Sequence, residues 1–78
     1  MTVELKSLRV ETGGPDEEGL AAFLRGKLVA VFVRLSPMHK EQAGHWYAEK
    51  LFGKLDRPNP PTLPDPDAVK NWLSSELA

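Results

Sequence analysis

Apolar and polar residues alternate along Thr2 to Val10, but Val3 and Leu5 share one phase while Leu8 and Val10 share the other. A one-residue phase change near Lys6–Ser7 predicts a strand over 2–10 interrupted by a β-bulge. ETGGPDEEG (Glu11 to Gly19) breaks the alternation with three glycines, a proline and four acids. That composition predicts a mobile acidic loop over 11–19.

The next stretch, Leu20 to Leu35, is apolar except around Arg25-Gly26 and at Arg34. Glycine supplies the positive φ of a two-residue hairpin turn, so strands are predicted over 20–24 and 27–35. With a turn at 25–26, opposed positions pair Leu24 with Lys27, Phe23 with Leu28 and Ala22 with Val29. Opposed residues share a sheet face. One face then carries Leu20, Ala22, Leu24, Val29, Val31, Val33 and Leu35, and the other carries Ala21, Phe23, Leu28, Ala30, Phe32 and Arg34. Both faces of the predicted hairpin are apolar.

Ser36-Pro37 has the form of an N-cap followed by proline at the first helical position, which allows one helical turn. His45 to Phe52 reads in two ways. Its aromatics and alternation favour a strand over 45–52, whereas a helix over 37–52 would align Trp46 or Tyr47 with Leu51 and Leu55 but would hold Gly44 in its interior. The strand is the reading taken. Residues 56–66 contain five of the seven prolines and predict an extended connector, because proline fixes φ and donates no amide hydrogen bond. Asp65, Pro66 and Asp67 then open a helix over 66–77, with Val69, Trp72, Leu73 and Leu77 on one apolar stripe.

LVAVFVRL (Leu28 to Leu35), Gly44-His-Trp-Tyr-Ala-Glu49, Phe52-Gly53 and a terminal helix bearing Trp72 together resemble small uncharacterised bacterial proteins in which a hairpin, a GxWxxE…FG strand and a C-terminal helix recur. The resemblance spans about residues 20–77. It implies a strand at 45–52 and no particular activity.

At 78 residues the chain is short for more than one domain, and 1–78 is read as a single small domain. Ten Lys and Arg against eleven Asp and Glu give a net charge of -1, which argues against binding nucleic acid or an anionic membrane through bulk charge. Without cysteine, disulfides, thiolate metal sites and Cys nucleophiles are excluded. Leu28 to Val33 is too short an apolar run to span a bilayer. The opening residues show no secretory apolar region, so cytoplasmic residence is expected.

Candidate chemistry is sparse. His39 and His45 lack the spacing of a helical or strand metal pair, even with Glu41 and Glu49 as added carboxylates. Ser36 reads as a cap, Ser74 and Ser75 fall in the last helical turns, and no GxSxG elbow or phosphate loop occurs. No catalytic residue, cofactor or metal is expected. Arg25, Lys27 and Arg34, with Trp46 or Tyr47 to stack on bases, make a weak nucleic-acid-binding module the alternative reading.

These features predict an α+β fold, an antiparallel meander of three to four strands with one C-terminal helix packed on it. Val29, Val31, Val33, Trp46, Trp72, Leu73 and Leu77 are the expected core. The helix covers one sheet face, so Phe23, Leu28, Ala30 and Phe32 are expected on a surplus apolar face. A homodimer partner, another protein or the proline-rich segment with Leu63 would cover it, and protein–protein association is the expected function.

Overall fold

A computed structural model describes residues 2–78. Its strands β1 (Val3–Arg9), β2 (Glu18–Leu24), β3 (Lys27–Arg34), β4 (Trp46–Leu51) and β5 (Thr62–Leu63) form one sheet in chain order, each neighbouring pair antiparallel. The helix α1 (Pro66–Leu77) packs on one side. The fold is therefore α+β as expected, with five strands rather than three or four. The additional strand is the two-residue β5 inside the proline-rich segment, at an edge where proline is tolerated.

The hairpin turn is where the sequence places it. Arg25 and Gly26 both have positive φ, 54° and 78°, as a type I′ turn requires. Arginine carries a Cβ into this left-handed region at a cost that Asn largely avoids. Arg25→Asn is expected to raise stability by about 0.5–1 kcal/mol, read as a higher urea midpoint.

Register departs from expectation after the second pair beyond the turn. Leu24 and Phe23 pair with Lys27 and Leu28 as predicted, but Ala22 pairs with Ala30, Ala21 with Val31 and Leu20 with Phe32. Val29 is the extra residue of a bulge. A second shift, between β3 and β4, leaves Glu49 as the extra residue, since Val31 pairs with Lys50 and Phe32 with Ala48. Conversely, β1 carries no bulge: Val3 to Arg9 pair with Leu24 to Glu18 without a break. The phase change near Lys6–Ser7 is instead met by exposing Leu8 on the face opposite Val3 and Leu5.

Because side chains alternate, the one-residue slip exchanges the faces of β3. Ala30 and Phe32, expected on the surplus face, are fully buried beneath α1 with Val3, Leu20, Ala22 and Trp46. Val31 and Val33, expected in that core, point to the other side. Val29 keeps its place against the core because the bulge lets two successive residues face the helix. Trp46 and Leu73 are buried core residues, while Trp72 and Leu77 pack against the core half-buried.

The helix starts as its sequence dictates. Asp65 Oδ1 accepts a hydrogen bond from Ala68 N at 2.7 Å, with Pro66 at the first position. The preceding segment does not cross the second face: β5 pairs Leu63 with Trp46 and Thr62 with Tyr47, so it extends the sheet beyond β4. Leu63 packs on the helix side of the sheet.

Candidate functional site

The face opposite α1 is ordered by strand register into transverse rows. Glu4, Phe23 and Leu28 form the row nearest the hairpin turn. Lys6, Ala21, Val31 and Lys50 form the next. Leu8, Gly19, Val33 and Tyr47 form the third. Leu28 and Tyr47 are 40% and 41% exposed, and Phe23 and Val31 are half-buried. Lys6 Nζ lies 5.8 Å from the centre of the Phe23 ring, its stem lying along apolar surface while the ammonium meets water.

Of the residues expected on this face, the structure places Phe23 and Leu28 there and removes Ala30 and Phe32. It supplies Val31, Tyr47 and Leu8 in their place. An unbroken hairpin register puts Val31 on the opposite face, and a bulge in β1 would hide the side on which Leu8 falls; the bulge at Val29 and the continuous β1 ladder place both here.

Two loops cap the third row. The loop expected over 11–19 is shorter, because strand β2 begins at Glu18, and residues 11–17 bond to one another through backbone and side chains. Val10 N donates to Glu17 O, Thr12 Oγ1 donates to Asp16 O, and Gly13 N donates to Glu11 Oε2. Asp16 clasps the segment to the next connection: Oδ1 accepts from Ser36 N at 2.7 Å, and Oδ2 lies 2.8 Å from His39 Nε2. Two short 3₁₀ turns within Pro37–Gln42, separated by a kink at Lys40 (φ 53°), follow Ser36, which sits at the N-cap without making a side-chain cap bond. Val33 is thereby 1% exposed, although α1 lies on the other side of the sheet.

Thr12, Asp16, His39, Gln42, Tyr47 and Glu49 rim a cleft of about 280 Å³ floored by Val33 and Leu35. Its polar groups are not arranged for nucleophilic catalysis. In a Ser-His-Asp arrangement the imidazole stands between the hydroxyl nucleophile and the orienting carboxylate. Here the carboxylate of Asp16 stands between Ser36 and His39, and Ser36 Oγ is buried with no hydrogen-bond partner among the described residues. His45, immediately before β4, has a buried Nδ1 with no hydrogen-bond partner among the described residues. Among the described residues, no group of three or more His, Asp or Glu gathers to hold a metal, and no helix is long and apolar enough to cross a membrane.

Partial burial by itself would raise the carboxyl of Asp16, but the hydrogen bonds from Ser36 N–H and His39 outweigh it and hold the group below its ordinary value. A depressed carboxyl stabilises the fold above the unfolded-state value of about 3.9, and the contribution disappears as pH falls through the lower folded value. Asp16→Asn should therefore be less stable than wild type at neutral pH, and the difference between their urea midpoints should shrink below about pH 4.

Arg25, Lys27 and Arg34 do not form one basic patch. Arg25 lies in the hairpin turn and Lys27 directly after it, whereas Arg34 lies at the far end of β3 and pairs with Glu18 at 3.4 Å. Trp46, offered for base stacking, is buried in the core, and Tyr47 faces the other side of the sheet. No family model, curated protein or solved structure matches the chain.

Proposed function

We propose that this chain is a non-enzymatic protein that acts by protein–protein association, as a homodimer formed through the face opposite α1. The observation carrying this reading is the uncovered apolar surface of Phe23, Leu28 and Val31 on a sheet whose helix is fully engaged on the other side. Apolar surface of this kind on a small domain favours association. Charge selects the occupant. Glu4 and Lys6 stand on the same strand and the same face, so a second copy presents the complement of each.

Sedimentation at tens of micromolar should report a mass near twice 8.7 kDa. Leu28→Glu, at a position already in contact with water, should keep the circular dichroism of wild type and weaken association at least about tenfold, because it buries a carboxylate in the joint. A wild type that remains monomeric through hundreds of micromolar would remove the proposal and leave the lysine stems as the cover of this face.

A further inference from the structure

The register of the sheet also fixes how two copies would meet, an inference that rests on the homodimer proposed above. Two sheets packed face to face lie about 10 Å apart, and a dimer relates them by a two-fold axis running between them. The rows on the open face distinguish the possible axes by charge.

An axis parallel to the strands reverses strand order and keeps height along the strand. It sets β1 of one copy over β4 of the other and brings Lys6 over Lys50, because both stand in the same row. That juxtaposes like charges twice. An axis across the strands sets each strand over its own counterpart. Passing through the Lys6 row, it places Lys6 over Lys6; passing through the Glu4 row, it places Glu4 over Glu4. Both repel.

Midway between these two rows, the same axis lays the Glu4–Phe23–Leu28 row over the Lys6–Ala21–Val31 row of the second copy, and the reverse. Glu4 then meets Lys6 at two crossings. Leu28, 40% exposed, lies over Val31, and Phe23 lies over the row in which Ala21 is already buried by its neighbours. Charge is complementary at this setting, with apolar residues opposed beside the charged pair.

We infer that the homodimer is a face-to-face sheet sandwich whose two-fold axis runs across the strands between the Glu4 and Lys6 rows, pairing Glu4 of each copy with Lys6 of the other. Glu4 and Lys6 are both exposed on β1, so reversing either charge leaves the core intact.

The test is dimerisation by sedimentation at low ionic strength, where exposed ion pairs count most. Glu4→Lys alone and Lys6→Glu alone should each weaken self-association about tenfold, since each creates two like-charge crossings. Mixed in equal amounts, the two variants should form a heterodimer as tight as the wild-type dimer, because both crossings again join a base to an acid. Lys50→Glu carries the same charge change on the same face but lies outside the crossings, so its mixture with Glu4→Lys should form a heterodimer at least about fivefold weaker. Equal association of the two mixtures overturns this arrangement, as does a wild-type dimer unaffected by either single reversal. A wild type that does not dimerise overturns the association reading itself.

Discussion

Phe32→Glu is expected to unfold the chain, not to separate a dimer into folded monomers. Phe32 is 0% exposed and lies on the helix side of the sheet, opposite Leu20 on β2 and Ala48 on β4. Its ring meets that of Trp72 edge to face, 6.3 Å between centres at 85°. Truncating a buried phenylalanine to alanine costs about 3–5 kcal/mol. A carboxylate at the same place adds the desolvation of a charge with no basic partner. A domain of this length has a total stability of about 4–12 kcal/mol, so the folded state should not survive the charged substitution. Circular dichroism should show loss of the fold for Phe32→Glu, and Phe32→Ala should retain a cooperative but much earlier urea transition. A folded, monomeric Phe32→Glu would restore Phe32 to the open face and reverse the register described here.

Trp72→Ala should have the next largest effect, about 3 kcal/mol, at the lower end for a buried aromatic because Trp72 is half-buried. Trp72 joins three parts of the chain. Beyond its contact with Phe32, the Arg57 guanidinium stands 5.2 Å from the indole centre, and the same arginine pairs with Glu76 at 2.7 Å. The indole thus links α1 both to the sheet and to the segment entering the proline-rich connector. Its loss should lower the urea midpoint sharply and also remove the cation–π contribution of Arg57, worth about 0.5–1 kcal/mol at an exposed site. The effects of Trp72→Ala and Arg57→Ala should therefore sum to more than the effect of the double variant. Strict additivity would show that the arginine stabilises the fold independently of the indole.

Much of the architecture was legible because it rests on local chemistry. The Arg25-Gly26 turn, the Asp65-Pro66 helix start, the stripe of Val69 and Leu73 and the strand at Trp46–Leu51 depend on residues within a few positions of one another. β5 was not legible, since two residues among prolines carry no periodic signal, and only the adjacent edge of β4 makes them a strand. The Asp16–His39 clasp spans 23 positions, with no motif to announce it. On the proposed docking face, Phe23 and Leu28 followed from pairs beside the turn, whereas Val31 and Tyr47 emerged only with the folded register.

The sequence by itself determined the order of the elements, the position of the hairpin turn, the helix and its apolar stripe, and the presence of more apolar strand surface than one helix covers. It left undecided which face of β3 goes inward, because the apolar run Leu28–Val33 has no polar position to mark the phase. The tertiary structure decided that question with the bulge at Val29, which turns Phe32 toward Trp72 and the core while Val31 and Val33 turn away. The physical reason is packing across layers: side chains from the helix and the four other strands fill one space, and a one-residue slip at Val29 selects which half of β3 completes it.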